Sequence, residues 1–236
     1  MRKRLVVALL VCSMGLVGCG QKASEPTEEI PQENAQEGKE NETEEKQTIE
    51  QVKNTPTEYT IESMMGNDYP ESIDISGCGT FTQIVDEKLS EGMGYTNVTI
   101  GDEDVLLVCS GTWDNQDENN AAMDAIIYVY IDGVPTELGK VSSQGTAYPL
   151  TLADNCIISA GHQYICKYTI NNMQLQIEEL ASVEWAQDDK SKDMYFYQAD
   201  DGKDYSDMSQ EDTEAKYDQL LEEMSNGTVI NFDVIK

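Results

Sequence analysis

Arginine is almost missing from this chain. Its two copies, Arg2 and Arg4, lie within the first four residues, and His162 is the sole histidine. Beyond Arg4, twelve lysines stand against 45 acidic residues, a balance of −33. Arginine is the favoured two-pronged clamp for phosphate and carboxylate, and nucleic-acid binders need a basic footprint. A surface this acidic repels a phosphate backbone, so nucleic acid is excluded as a partner. Cations, polyamines and basic peptides are permitted, although solubility and mutual repulsion account for such a surface without any partner. A serine triad would have to use His162, which sits in Ser159-Ala-Gly-His-Gln163 as a turn residue beside Gly161. No Gly-x-Ser-x-Gly elbow and no phosphate-cradling glycine loop occurs. No cofactor is expected. No metal is expected either, because Cys156, His162 and Cys166 match no common zinc spacing and lack a fourth ligand nearby.

Long apolar runs are also missing, with one short exception. Leu5 to Val17 is apolar but for Ser13 and Gly15, and it follows the cationic start Met1-Arg2-Lys3-Arg4. A basic start, a short apolar core and a small residue before a cut make the export-signal pattern. The run falls short of the ~20 residues that cross a bilayer as a helix. Leu16-Val17-Gly18-Cys19 resembles the lipobox of bacterial lipoproteins. That resemblance implies a diacylglyceryl group on the Cys19 sulfur, removal of residues 1–18, and palmitate-like chains holding the protein to the extracytoplasmic face of a cell membrane. One acyl chain holds marginally and two hold stably, at ~0.8 kcal/mol per buried methylene. A Gram-positive surface is the favoured setting; a periplasmic or outer-membrane lipoprotein is the alternative.

After Cys19 the composition shifts. Residues 20–55 contain ten Glu, four Lys and no aromatic residue. Such a segment buries too little surface to offset its ordering entropy. Residues 19–56 are therefore expected to be a lipidated cysteine followed by a disordered acidic linker, with a coil-like span of about 30–36 Å. Residues 57–236 form the expected single globular domain, long enough to bury about 70% of its unfolded surface.

That domain mostly alternates. Tyr95–Ile100 and Val105–Cys109 flank a turn, and Ala125–Ile131 is rich in branched and aromatic residues. Asp132-Gly133 is a strong hairpin signal. Val134–Val141, Tyr148–Leu152, Cys156–Ser159 and Gln163–Ile170 continue the meander to the turn pair Asn171-Asn172. Met173, Leu175, Ile177, Ala181, Val183 and Trp185 all fall on odd numbers, as one dry face of a long strand. Met194–Gln198 and Thr228–Ile235 complete the strands. One helix is expected around Phe81, Ile84, Val85 and Leu89, capped by Thr80 and stopped by Gly92. A second carries the stripe Tyr217, Leu220, Leu221 and Met224 between Ser209 and Gly227. The expected fold is mainly β (α+β): an antiparallel meander sheet or partly open barrel with two amphipathic helices.

Among side chains that could carry chemistry, Cys78, Cys109, Cys156 and Cys166 are first small buried hydrophobes. Cys156 and Cys166 could also face each other across the loop Ala160-Gly161-His162 and form a disulfide, as exported proteins often do. Asp114–Asn120 and Asp200–Asp204 have calcium-loop composition but not its spacing, and solvated loops are expected there. Glu178, Glu179 and Glu184 are carboxylates whose separation the sequence leaves open. Trp113 beside Asp114 and Asn115, with Tyr195 and Tyr197, makes a candidate ligand surface on which a sugar ring could stack; core packing is the plainer role for the same rings.

The stretch from Asp104 to Ile170, including Val105-Leu-Leu-Val-Cys-Ser-Gly-Thr-Trp-Asp114 and Ser143-Gln-Gly-Thr-Ala-Tyr-Pro-Leu150, resembles uncharacterised lipoproteins from Gram-positive anaerobes. The resemblance supports the compartment and brings no activity. The expectation is a surface-tethered, non-enzymatic binding or interaction module with a carbohydrate, cation or envelope protein as partner. A wall-facing hydrolase or carbohydrate-processing enzyme using Asp and Glu is the alternative, and whether the chain is an enzyme stays open.

Overall fold

The computed structural model describes residues 69–116, 119–187 and 192–236. The signal segment 1–18, Cys19 and the linker 19–56 lie outside the described residues, as do residues 57–68.

Two antiparallel sheets face each other. The first contains β1 (Gly94–Ile100), β2 (Glu103–Cys109), β5 (Asp124–Ile131), β6 (Val134–Ser142) and β13 (Asp233–Val234), in the order β13-β1-β2-β5-β6. The second contains β7 (Thr151–Ala153), β8 (Cys156–Ala160), β9 (Tyr164–Asn171), β10 (Gln174–Glu184), β11 (Met194–Ala199) and β12 (Thr228–Val229), in the order β11-β10-β9-β8-β7-β12. A small hairpin, β3 (Trp113–Asp114) with β4 (Asn120–Ala121), stands apart from both. The mainly β, antiparallel reading is what the structure has. It is divided between two sheets, and they do not close into a barrel.

Alternation along the strands explains the layers. Leu107, Cys109, Ile127 and Val129 from the first sheet meet Ile157, Tyr164, Cys166 and Ile170 from the second in a shared core. The opposite faces are covered by helices. Helix α1 (Phe81–Lys88) lies with Ile84 against Leu106, Val108, Ile126 and Tyr128. Helix α2 (Gln210–Asn226) sets Tyr217 and Leu220 against Ile158, Ile165, Ala181 and Val183. Both helices begin where expected: Thr80 Oγ1 accepts from Gln83 N (3.1 Å), and Ser209 Oγ accepts from Asp212 N (3.1 Å). Helix α1 ends four residues before Gly92, because Leu89 is already extended. Gly227 ends α2 for reasons of space: a Cβ there would lie 2.6 Å from Thr151 Cγ2 and 2.8 Å from the Leu152 carbonyl oxygen.

Two expectations about strands need correction. The turn after β9 is Asn172-Met173, both at positive φ, one residue later than Asn171-Asn172. The odd-numbered stripe from Met173 to Trp185 is not one face. Ile177 pairs with Tyr168 and Glu179 with Lys167, so Glu178 is an extra residue, a β-bulge. The bulge switches parity: Leu175, Ile177 and Leu180 face the shared core, while Ala181 and Val183 face α2. Met173 and Trp185 are exposed at the two ends.

Segment 228–235 laces the sheets together. Thr228 and Val229 pair with β7, and Asp233 and Val234 pair with β1. Between them Ile230 and Phe232 are buried in the shared core. Ile230 N donates to the Leu150 carbonyl and Phe232 N to that of Asn120.

Strand directions sort the connections into two poles. The tight turns at Gly101-Asp102, Asp132-Gly133, Asp154-Asn155 and Asn172-Met173 gather at one end, where Gly101 N bonds the Asn155 carbonyl (2.8 Å). The longer connections leave from the other end: 110–123, 143–150, 161–163 and the stretch after Glu184. Ser143 N to Met123 O (2.7 Å), Gln144 N to Ala160 O (2.9 Å) and Val183 N to Gln163 O (2.9 Å) join them there.

Candidate functional site

The bulge at Glu178 gathers charge on the α2 side of the second sheet. Inserting one residue turns both Glu178 and Glu179 outward between inward-facing Ile177 and Leu180. Directly across from Glu179 stands Lys167, which is buried. Its Nζ lies 3.2 Å from Glu223 Oε2 on α2, 3.5 Å from Glu178 Oε1 and 3.8 Å from Glu179 Oε1. Neutral donors hold the remaining carboxylate oxygens. Cys156 Sγ donates to Glu178 Oε2 (3.1 Å), Tyr197 Oη to Glu179 Oε2 (2.5 Å) and Gln219 Nε2 to Glu223 Oε1 (2.9 Å).

The electrostatics follow from that geometry. Desolvation works against the charged forms of Lys167 and Glu223, and their mutual contact outweighs it. The Lys167 ammonium is held above its ordinary value, and the Glu223 carboxyl is held below its own by Gln219 and Lys167. Burial, then the bond to the Glu178 carboxylate, pushes the Cys156 thiol up to about 12. Burial and the Glu179 bond push the Tyr197 hydroxyl far up. One amine clamps three carboxylates, which ties β9, β10 and α2 together. Beside it a groove of about 430 Å³ runs between the β7–β8 turn and the end of α2, past Asp154, Glu222 and Glu223.

The residues of the candidate ligand surface lie in two separate places. Trp113, Asp114 and Asn115 are at the pole of long connections, on and just after β3. Tyr195 and Tyr197 are on β11 beneath α2. The Tyr195 ring meets Tyr217 edge-on at 5.7 Å, and the Tyr197 ring meets Tyr205 at 4.9 Å. The fold therefore does not bring the two groups into one surface. Tyr197 is 4% exposed, so its ring is a packing element.

Cys156 and Cys166 do not pair. Ala160 lies opposite Ile165, so Cys166 faces Ser159, three positions from Cys156. At ~3.3 Å per residue that offset is about 10 Å, beyond the reach of a disulfide. They also point to opposite faces, Cys166 into the shared core and Cys156 toward Glu178. Cys78, Cys109, Cys156 and Cys166 are all free and buried. In the 200–204 stretch, Asp201 takes Lys203 Nζ (2.5 Å) and Tyr205 Oη (2.8 Å), and Asp204 accepts from Ser206 N (2.9 Å).

Three participants escaped the sequence: Lys167, Glu223 and the exposed Trp185. A lone lysine inside the apolar run Tyr164–Ile170 was the available signal for the first. Nothing local marks Glu223, 56 residues away along the chain. The bulge hid Trp185, whose ring lies 6.0 Å from that of His162 at the pole of long connections.

No family model, curated protein or solved structure matches this chain. Among the described residues, no helix is long and apolar enough to cross a membrane.

Proposed function

We propose that this chain is a lipid-anchored, extracytoplasmic binding module, held off its membrane by the acidic linker. The observation that carries this is the boundary Leu16-Val17-Gly18-Cys19, set after a basic start and a thirteen-residue apolar run and before a long acidic segment. The two-sheet body fits that role. Its rigid strands present long connections at one pole, where binding residues are usually carried. The hydrolase alternative needs a carboxyl group poised to give up a proton, with its pKa raised. Glu178, Glu179 and Glu223 are instead clamped by Lys167, and Glu223 is shifted the other way.

Changing Cys19→Ala tests the anchor. The protein is expected to leave the membrane fraction for the soluble one and to lose incorporation of labelled palmitate. Unchanged fractionation would refute the reading.

A further inference from the structure

We propose that the pole of long connections is a binding site for neutral carbohydrate chains, with Trp185 and His162 as the stacking platform and the neighbouring amide side chains as the polar contacts. This deepens the binding-module reading above and rests on it.

Both poles carry carboxylates, Asp114, Glu184 and Asp193 among them at the pole of long connections, and that pole adds aromatic and amide side chains. At the tight-turn pole the turns carry Asp102, Asp132 and Asp154. At the other pole Trp185 lies against His162 and next to Gln163, and Gln144 N bonds the Ala160 carbonyl at the base of the same turn, while Trp113 and Asn115 sit on a separate connection of that pole. Trp185 is 38% exposed, whereas Tyr197 on the same side of that sheet is buried and Tyr195 partly so. Its ring lies beside exposed His162, tilted by 49° at a centroid distance of 6.0 Å. The backbone holds this pair in place, because the 161–163 turn is pinned to β10 through Gln163 O and Val183 N. Gly161 is required at the base of that turn, where a Cβ would lie 2.4 Å from the Tyr164 ring.

Ligand class follows from complementarity. A pyranose offers an apolar C–H face for an indole and a rim of hydroxyls that both donate and accept. Amide side chains also both donate and accept, and aromatic rings give large contact area at little entropic cost. Anionic polymers are repelled by the net charge.

The full lipoprotein, purified in a polyoxyethylene detergent to avoid sugar headgroups, is run in native gels containing dextran, glycogen, hydroxyethyl cellulose or yeast mannan. Tryptophan emission is followed in parallel titrations. The chain's tryptophans are both at this pole, so emission reports on it directly. Retardation by at least one polysaccharide is expected, with a saturable emission change. Trp185→Ala is expected to weaken it at least about tenfold in a protein that still unfolds cooperatively in urea. Failure of all four polysaccharides to retard the protein overturns the inference. So does retardation that Trp185→Ala leaves intact, or an emission change produced by polylysine and not by polysaccharide. These assays are done in solution and do not depend on the anchor, so a failed Cys19→Ala test and a failed glycan test are separate results.

Discussion

Replacing Lys167 should cost far more than neutralising any carboxylate around it. Lys167 is 6% exposed, whereas the side chains of Glu179, Glu223 and Glu178 are 15%, 23% and 41% exposed. Removing one member of a fully buried pair costs about 3–5 kcal/mol, and a pair at the surface is worth about 0–1 kcal/mol. Glu178 is exposed enough to be counted with the second kind. Lys167→Met keeps the length of the stem but leaves three carboxylates facing one another without a cation, at about 2–3 kcal/mol. Glu223→Gln leaves Lys167 two other carboxylates and an amide oxygen, so it should cost about 1 kcal/mol or less. The pH dependence gives a second check. Glu223 is held below its ordinary 4.5, so its contribution is complete above that value and is lost as pH falls through the depressed value. In Lys167→Met the sign reverses, because protonation there relieves repulsion. Urea unfolding from pH 7 down to pH 4 should show the gap between the two proteins narrowing. Equal costs for Lys167→Met and Glu223→Gln at pH 7, or a gap that widens in acid, would show that the lysine is not the clamp.

Further expectations follow from other parts of the structure. Gly227→Ala should destabilise by about 1–3 kcal/mol through overpacking, because its Cβ meets the Leu152 backbone; a neutral result by thermal melting would mean that the β7–α2 junction is loose. Unfolding without reductant should release four titratable thiols from Cys78, Cys109, Cys156 and Cys166, and fewer would reveal a disulfide. In the native protein, alkylation near pH 8 should be slow, since burial pushes the thiols of Cys109, Cys156 and Cys166 up to about 12.

Much of the architecture was legible because local signals agreed with it. Asp132-Gly133, the Thr80 and Ser209 caps and the stripe on α2 each depend on residues a few positions apart. What failed was set by partners far along the chain. The parity of β10 changes at the Glu178 bulge, which sets two carboxylates beside a buried lysine on β9, and no periodicity within β10 records that contact. The disulfide expectation failed through a register set by the four-residue connection between Ala160 and Ile165. Segment 228–235 has the alternation of one strand, yet it serves two sheets in two-residue pieces. The candidate surface was half legible: Trp113 stands out at the head of a polar loop, while Trp185 continues the apolar alternation of β10 and reads as core.

Segment 228–235 also bears on how the protein is made. A ribosome produces it after every strand it binds, and its pairing with β1 spans nearly the whole described length. Until it arrives, the rims of β1 and β7 have open hydrogen-bonding groups and the two hydrophobic layers lack Ile230 and Phe232 between them. Joining of the two sheets through this segment therefore waits until residues 228–235 have been made. Long-range pairing of this kind folds slowly, so the interval before this segment docks is when the protein is most open to proteases and to clumping with its neighbours.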